Sequence, residues 1–277
     1  MTKQTLKELL KGKLTEKEIA LMPRSFDTVG DIIIFSDFPS ELKKKEKLIG
    51  KVILEKYPHI KVIAKKTKKY SGKFRTPTLR IIVGERRKET IYKENNVRLK
   101  LNVEKVYFSS RLATERQRII AQIKRDESVL VMFSGCGPYV VEIAKNTPAK
   151  EVYGVEINPI AHKYALENLI LNKIKNVKLF LGDVRNVLPK IKKKFDRILM
   201  PLPKDASDYL DVALKKIKKN GVINFYEFAN DDEQEALKEK ITKICADNKK
   251  KIEIISLNKC GDFGPGIFRY CVDFRVL

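Results

Sequence analysis

The sequence predicts an α/β protein in two parts: a small α+β domain over residues 1–105, and a larger domain over residues 106–277 built on a doubly wound parallel sheet. Two observations support this. Strands and helices alternate between residues 129 and 228, and the first strand is apolar throughout, as expected of a parallel sheet covered on both faces. Two further strands follow with only a Gly/Pro loop between them, so they must pair antiparallel.

In the first part, short strands surround one helix. Ile32 to Phe35 is an apolar run of strand length, and residues 39–56 repeat apolar side chains at helical spacing. Asn95 and Asn96 predict a hairpin turn, because asparagine tolerates the left-handed backbone that such turns need. Further strands are expected at Ile60–Ala64, Leu79–Val83, Thr90–Tyr92 and Val97–Leu101.

In the second part, strands alternate with helices, as is typical of a parallel sheet. Asn158 is a candidate N-cap with Pro159 at the first helical position, and Asn220-Gly221 predicts a helix end. Strands are expected at 129–133, 151–155, 177–181, 195–200 and 222–228, helices at 159–171, 205–219 and 231–247, and the closing antiparallel strands at 252–257 and 267–276.

The chain is strongly basic, with a formal charge of +23. Residues 1–110 carry 27 basic and 13 acidic side chains, and residues 56–84 carry nine Lys or Arg and no acid. Tyr70 and Phe74 lie within this basic stretch, a combination that suits a phosphate backbone and a stacked base. We therefore expect RNA or DNA to bind there. The alternative is a lysine-rich solvated surface of the kind found in thermophile proteins.

Several other classes of function are disfavoured. No apolar run approaches the roughly 18 residues of a membrane helix, and the N-terminus lacks the apolar segment of a secretory signal. The four cysteines show no Cys-x-x-Cys spacing and the two histidines are isolated, so no metal is expected. Reduced thiols fit a cytoplasmic protein, with neither a membrane nor a metal among its partners.

A cofactor site is predicted at the carboxyl ends of the first three parallel strands. Gly135 and Gly137 form a Gly-rich turn after the first strand, where the backbone can approach a ligand closely. Glu156 ends the second strand and can accept from both hydroxyls of a ribose, while Asp183 ends the third and can meet an adenine amino group. A purely structural turn is the alternative. NAD fits less well, because Val140 stands where its fingerprint has glycine.

Three motifs bring the sequence close to a known family. Val106–Arg116, Tyr153–Pro159 and Asp196–Lys204 resemble, in order, motifs of the archaeal tRNA (guanine-37, ring N1) methyltransferases, and the likeness runs from about Ser25 to the C-terminus. The resemblance implies a class I S-adenosylmethionine methyltransferase fold, Rossmann-like with a C-terminal antiparallel hairpin, preceded by a tRNA-contacting domain. It implies S-adenosyl-L-methionine as cofactor and tRNA as partner. We expect a monomer that lacks the further N-terminal module of many members.

The resemblance also implies roles for individual residues. Glu115 matches the general base that removes the proton from guanine N1, and Arg75 matches an arginine that steadies charge developing on guanine O6. The plainer alternatives are a helix-surface ion pair for Glu115 and a phosphate contact for Arg75. The expected cofactor-lining residues are Phe108, Arg111, Arg116, Gly135, Gly137, Glu156, Ile157, Asp183, Val184 and Pro203.

Two positions depart from the common pattern of these enzymes. Val131 stands where related methyltransferases usually carry an acid before the Gly turn, so the amino-acid end of the donor must be held otherwise. Pro201 stands where the guanine methylases carry asparagine, and proline has no side-chain donor or acceptor. We count Pro201 among the catalytic positions.

A proline at this position resembles an archaeal subfamily that methylates N1 of guanosine 37 in tRNA-Phe and later methylates C7 of 4-demethylwyosine, giving isowyosine. Neutral drift at one position is the alternative. Other functions left open are a monofunctional guanosine-37 methyltransferase, an aminocarboxypropyl transferase of the wyosine pathway, a nucleotide-binding oxidoreductase and a non-catalytic RNA-binding protein.

Overall fold

The computed structural model describes residues 5–23, 25–202 and 204–277, and gives only the backbone of residues 69–71. The chain divides into two compact units, Met1–Lys93 with Lys100–Ser110, and Glu94–Leu99 with Arg111–Leu277. The second unit thus includes the turn of a hairpin and the adjoining ends of its strands, Glu94 and Val97–Leu99, while the rest of both strands lies in the first. The expected domain boundary after residue 105 stays a prediction.

The first unit is a four-stranded sheet backed by one helix, with a separate two-stranded hairpin. The sheet order is β1-β2-β3-β4, and β2 and β3 are parallel. Its core is formed by Ile33, Phe35, Leu42, Ile49, Ile53 and Ile63, among others. The elements are α1 (Leu6–Leu9), α2 (Glu16–Ala20), β1 (Asp27–Val29), β2 (Ile32–Phe35), α3 (Glu46–Lys56), β3 (Val62–Ser71), β4 (Thr76–Gly84), β5 (Glu89–Glu94) and β6 (Val97–Asn102).

Two expectations for residues 32–102 have a clear outcome in the structure. The hairpin turn is confirmed, because Asn95 and Asn96 both have positive φ angles, 39° and 61°, between β5 and β6. The helix expected over residues 39–56 is correct in extent but not in type. Ser40–Lys45 forms a 3₁₀ helix, and the α-helix begins only at Glu46.

The second unit is a seven-stranded sheet of order β12-β13-β11-β10-β7-β8-β9. The strands β11, β10, β7, β8 and β9 are parallel, and β13 runs antiparallel to both its neighbours. The elements are α4 (Ala113–Gln122), β7 (Ser128–Met132), α5 (Pro138–Asn146), β8 (Glu151–Glu156), α6 (Pro159–Leu171), β9 (Val177–Leu181), α7 (Val184–Val187), β10 (Phe195–Met200), α8 (Leu210–Lys216), β11 (Ile217–Asn230), α9 (Gln234–Asp247), β12 (Ile252–Gly264) and β13 (Ile267–Val276).

The strand order reverses between β7 and β10, where the chain returns from β9 to the other side of the first strand. In open α/β sheets, ligands bind beyond the carboxyl ends of the strands at such a switch point. The Gly-rich turn after β7 and the residues after β10 both lie there. This position and the closing antiparallel strands are those expected from the sequence.

One helix end was predicted wrongly. The sequence suggested that a helix stops at Asn220-Gly221, but α8 ends at Lys216 and both residues lie inside β11. The pairing of β11 with β10 shifts register between Phe195 and Arg197, and Asn220 has a φ of 63° at this irregularity. A Cβ on Gly221 would lie 2.8 Å from the Ile217 side chain. The Asn-Gly pair therefore forms a bulge in a strand rather than a helix cap.

The three strands β11, β13 and β12 extend past the carboxyl edge of the rest of the sheet. Met200, the last residue of β10, pairs with Phe225, whereas β11 continues to Asn230 and stays paired with β13 throughout. At about 3.3 Å per residue, this ribbon projects roughly 16 Å beyond β10. Among the described residues, no helix has both the length and the apolar character needed to cross a membrane.

Candidate active site

The Gly-rich turn after β7 is held in one conformation. Gly135 and Gly137 have φ angles of 58° and 88°, and Gly137 caps α5 with Pro138 at its first position. A Cβ on Gly137 would lie 3.3 Å from the Cβ of Ala165, so a side chain would be both crowded and strained. The Asn168 side-chain amide donates to the Cys136 carbonyl at 2.9 Å. The Cys136 thiol is fully buried, and burial raises its pKa to about 12.

Glu156 joins this turn to the end of β8. Its carboxylate accepts from the backbone N–H of Gly135 at 2.6 Å and of Asn158 at 2.7 Å. The residue is 8% exposed, and burial raises its pKa although these N–H groups oppose the rise. Each carboxylate oxygen has more than one acceptor position. Glu156 can therefore accept from a pair of ligand hydroxyls while it holds the turn.

The end of β9 completes this edge of the sheet. Asp183 caps α7 by accepting from the Arg185 N–H at 2.9 Å, and the Gly182 N–H donates to the Glu156 carbonyl at 2.8 Å. Val184 is buried. The predicted set Gly135, Gly137, Glu156, Ile157, Asp183 and Val184 thus gathers at the ends of three adjacent strands. Two acceptor carboxylates beside a tight glycine turn fit the hydroxyl and amino donors of an adenosyl group.

Glu115, the candidate base, is 4% exposed on α4. Arg118 donates to both its carboxylate oxygens, at 2.7 and 2.8 Å, and the Tyr226 hydroxyl donates to Oε1 at 2.7 Å. Tyr226 follows Phe225, the partner of Met200, and therefore lies level with Pro201 at the carboxyl edge. The ion pair anticipated as the plainer alternative does form. Its Glu115 carboxylate is buried against the sheet, whereas the Arg118 side chain is partly exposed.

Hydroxyl groups connect Glu115 with the Gly-rich turn. The Tyr226 hydroxyl lies 3.0 Å from that of Tyr139, the second residue of α5. Both tyrosines are buried, and burial raises the pKa of each hydroxyl well above its usual value. They therefore stay neutral and can keep donating hydrogen bonds. The two hydroxyls thus link the candidate base to the first turn of α5, the helix that begins directly after the Gly-rich turn.

The same network continues through Arg118 to Asp273 on β13. Asp273 accepts from Arg118 at 2.6 Å, Asn224 at 2.6 Å and Gln122 at 2.9 Å. Burial works to raise the pKa of Asp273, but the Arg118 guanidinium holds it below the ordinary value. Sequence reasoning missed Arg118, Tyr226 and Asp273. Of these, only Arg118 carried a signal, because it lies three residues after Glu115 on a helix.

Arg116 points to the opposite side of α4. It is 1% exposed and pairs with Glu94 at 2.7 Å and Glu142 at 3.0 Å. Burial and the neighbouring Glu94 carboxylate raise the pKa of Glu142 to about 8, although Asn95 donates to it at 2.7 Å. The Arg116 guanidinium is also near enough to the Gly-rich turn to act on the Cys136 thiol, whose pKa it lowers against the larger effect of burial. Its role in cofactor binding stays a prediction.

The remaining predicted residues are spread over both units. Phe108 belongs to the first unit, where its ring packs edge-on against Tyr92 at 5.1 Å. Arg75 also belongs to the first unit, in the β3–β4 turn, with a φ of 49°. Arg111 is exposed in the short helix Ser110–Leu112 that precedes α4.

At the fourth strand, Pro201 is half-buried directly after β10, and the following residue's N–H donates to the Met200 carbonyl at 2.7 Å. Pro203 lies outside the described residues. A search of the part of the chain that is described finds no group of three or more His, Cys, Asp or Glu placed to hold a metal ion.

Family models match almost the whole chain. The TRM5/TYW2 methyltransferase domain matches residues 90–255, and the TYW2 N-terminal domain matches residues 6–87. The tRNA (guanine(37)-N(1))-methyltransferase Trm5b of Pyrococcus abyssi is 40% identical over 92% of this chain and 76% of its own length. The tRNA (guanine(37)-N(1))/4-demethylwyosine(37)-methyltransferase Taw22 of Nanoarchaeum equitans is 32% identical over 91% and 100%. The tRNA(Phe) (4-demethylwyosine(37)-C(7)) aminocarboxypropyltransferase of Methanocaldococcus jannaschii is 31% identical over 90% and 97%.

Solved structures agree with these matches. The complex of aTrm5 with tRNALeu superimposes with a TM-score of 0.85 at 30% identity, covering all of this chain and 80% of that one. TYW2 of P. horikoshii, in complex with MeSAdo, gives a TM-score of 0.83 at 25% identity, covering 98% of each chain. The fold class and the S-adenosylmethionine cofactor expected from the sequence are confirmed.

Proposed function

Since the chain belongs to the TRM5/TYW2 methyltransferase family and is a tRNA methyltransferase, we propose that it methylates position 37 of tRNA-Phe twice. The first product is N1-methylguanosine. The second is isowyosine, formed by methylation at C7 of 4-demethylwyosine. The Taw22 relative carries both activities in its name, which supports this pairing. We expect the enzyme to act in the cytoplasm, where its free cysteines stay reduced.

The observation that carries the proposal is the position of Glu115 at the carboxyl edge of the sheet, joined through the Tyr226 and Tyr139 hydroxyls to the helix that begins at the Gly-rich turn. Ring N1 of guanine bears a proton at neutral pH, so its attack on a methyl group needs a base. Glu115 accepts that proton. Arg118 keeps Asp273 as a second acid partner, so its charge stays compensated when Glu115 is protonated.

The cofactor supplies an electrophilic methyl group carried on a sulfonium. Glu156 accepts from the ribose hydroxyls and Asp183 from the adenine amino group, while Gly135 and Gly137 allow the backbone to lie close to the bound molecule. Arg111, exposed just before α4, contributes to the same lining. None of these residues moves a proton in the reaction. Their part is to bind and orient.

The first unit contributes binding to the RNA backbone through its basic strands β3 and β4. Several of its charges have a structural partner, because Lys65 and Arg80 both pair with the buried Glu46 of α3, and Lys66 lies 3.8 Å from the Asp27 carboxylate. We assign phosphate contacts to this basic surface as a whole, and Arg75 in the turn between the strands either joins them or steadies charge on the base. Affinity for tRNA should fall steeply with salt, because phosphate contacts release counterions.

Pro201 supports the second methylation. An asparagine there would present a donor and an acceptor to the target base, whereas proline presents neither. The tricyclic base of 4-demethylwyosine is larger and offers a carbon, not a ring N–H, as the methyl acceptor. The competing reaction is transfer of an aminocarboxypropyl group, as named for the Methanocaldococcus relative.

The decisive test supplies labelled S-adenosylmethionine and unmodified tRNA-Phe transcript, then tRNA that already carries 4-demethylwyosine. We expect 1-methylguanosine with the first substrate and isowyosine with the second, each with release of S-adenosylhomocysteine. Absence of 1-methylguanosine would refute the first activity. Release of methylthioadenosine with the second substrate would identify aminocarboxypropyl transfer instead.

Variants tie the activity to the site. Glu115→Gln should abolish methylation while tRNA and S-adenosylhomocysteine still bind. Glu235→Gln is the matched control, because Glu235 lies on α9 with its side chain 78% exposed. Retained methylation in Glu115→Gln would exclude Glu115 as the base.

A further inference from the structure

The projecting ribbon of β11, β13 and β12 carries an aromatic cluster that has no part in the site described above. Phe228 and Phe263 have ring centroids 4.1 Å apart with a 32° angle between the ring planes. The Arg269 guanidinium carbon lies 5.4 Å from the Phe228 centroid. Phe263 remains 63% exposed in spite of its contact with Phe228. A large aromatic surface is therefore open to the solvent on this ribbon.

Strand pairing explains why these three side chains meet. Arg269 pairs with Phe228 on one side and with Gly261 on the other, so the three positions form a row across the ribbon. Gly261 has no side chain to fill the third position. Phe263, two residues further along β12, reaches across this gap to Phe228.

The cluster lies on the same face of the sheet as Glu115. Tyr226, whose hydroxyl binds Glu115, and Phe228 are two residues apart on β11, so their side chains leave the strand on one face. Asp273, Cys271 and Arg269 alternate in the same way on β13. Phe228 is the next residue on this face beyond Tyr226, in the direction that leads past the carboxyl edge. The distance along the strand is about 7 Å.

A flat aromatic surface with a guanidinium behind it suits an unpaired nucleic-acid base. Such bases stack on aromatic side chains, and arginine adds a cation–π contribution. The net charge of +23 favours a polyanion over an apolar protein segment as the occupant. A pair that served only to fasten the ribbon would not need to leave most of the Phe263 ring exposed.

We propose that Phe263, Phe228 and Arg269 form a stacking platform for an unpaired RNA base next to the methylated one. The inference rests on the proposed function and adds a binding subsite to it. A base held there keeps the loop open while its neighbour approaches Glu115. The platform contributes to RNA binding and takes no part in proton or methyl transfer.

Fluorescence tests the platform without requiring methylation. The chain contains no tryptophan, so Phe263→Trp places a single indole at the platform. We expect a stem-loop RNA with the anticodon-loop sequence to quench its emission, and a fully paired duplex of the same stem to leave it unchanged. Ile255→Trp is the matched control, because Ile255 is 47% exposed near the other end of β12. Unchanged emission of Phe263→Trp at saturating stem-loop, or equal quenching of both variants, overturns the proposal.

Kinetics provide a second measurement. Phe263→Ala and Phe263→Leu should raise the KM for tRNA roughly tenfold, with the KM for S-adenosylmethionine unchanged, while Phe263→Tyr stays close to wild type. Ile255→Ala should behave as wild type. Full activity of Phe263→Leu contradicts stacking. If the wild-type protein fails to methylate tRNA but Phe263→Trp is still quenched by the stem-loop, the proposed function fails and the platform stands.

Discussion

Two buried clusters of arginine and glutamate lie on opposite sides of α4, and they differ in what surrounds them. In the first, Glu115 and Arg118 each have a further partner, the Tyr226 hydroxyl and the Asp273 carboxylate. This cluster reaches the carboxyl edge of the sheet. In the second, Arg116 lies between two acids, Glu94 and Glu142, and the Asn95 side-chain amide donates to Glu142.

We expect the first cluster to act in catalysis and the second to stabilise the fold. Burial and an arginine partner are common to Glu115 and Glu142, so neither property identifies a catalytic acid. Each cluster holds two acids and one arginine, but in the second, burial and then the adjacent Glu94 carboxylate raise the pKa of Glu142 to about 8. In the first cluster Arg118 holds the pKa of Asp273 down. The two carboxylates therefore differ in their neighbours. Glu115 accepts from an arginine and a tyrosine hydroxyl, whereas Glu142 lies beside a second acid, Glu94.

The strongest test of this comparison is catalytic. Glu115→Gln should lower the methylation rate by about 10²–10⁴-fold, because a general base is removed. Glu142→Gln should leave the rate close to wild type. Both are measured in single turnovers with labelled donor and tRNA transcript. Equal losses in the two variants would mean that the two clusters are not distinct in function.

For stability, in contrast to catalysis, we expect the larger loss from a substitution in the second cluster. Arg116→Met removes the cation from between Glu94 and Glu142 and should lower the free energy of unfolding by about 3–5 kcal/mol, as expected for breaking a buried pair. Urea denaturation followed by circular dichroism measures the change. A cost below about 1 kcal/mol, the range of a surface pair, would contradict a structural role for Arg116.

Tyr226→Phe probes the connection between the base and the Gly-rich turn. Loss of its hydrogen bond to the Glu115 carboxylate should reduce kcat roughly tenfold, since hydrogen bonds to charged groups contribute about 1.5–3 kcal/mol. The KM for S-adenosylmethionine should not change. Tyr139→Phe is the comparison, because that hydroxyl lies one step farther from the carboxylate. A larger loss in Tyr139→Phe would show that the hydroxyl pair serves the cofactor turn instead.

The cluster around Arg116 also predicts a pH dependence of stability due to Glu142. Its folded pKa of about 8 lies above the ordinary 4.5, so the native state binds more protons than the unfolded state between these values. Its contribution to stability is therefore fully present below about pH 4.5 and is lost as the pH rises to about 8. Unfolding between pH 5 and 8 should show a flatter dependence in Glu142→Gln than in wild type. Identical slopes would exclude the shift.

Much of the second unit followed from local sequence signals. Helix α6 and strands β9, β10 and β13 have the predicted bounds, because an Asn-Pro cap or a bounded apolar run marks them. The helix end predicted at Asn220-Gly221 was wrong, since an Asn-Gly pair can occupy either a helix end or a bulge in a strand. Only the pairing of β10 with β11 distinguishes the two.

The candidate site divides in the same way. Glu156 and Asp183 follow from their places at strand ends, and Glu115 from a motif. The link from Arg118 to Asp273 joins residues 155 positions apart and depends on the packing of α4 against β13. Tyr226 reaches Glu115 for the same reason. Such contacts are set by tertiary structure, which no local pattern in one sequence reveals.

The position of Cys136 in the Gly-rich turn has a consequence for chemical labelling of the protein. A thiol just before a helix usually becomes a better nucleophile, yet here complete burial keeps the sulfur protonated. Alkylating reagents should therefore leave Cys136 untouched in the native enzyme and label it only after the surrounding core has opened. The labelling rate of this thiol therefore reports how often the unit that holds the Gly-rich turn opens or unfolds.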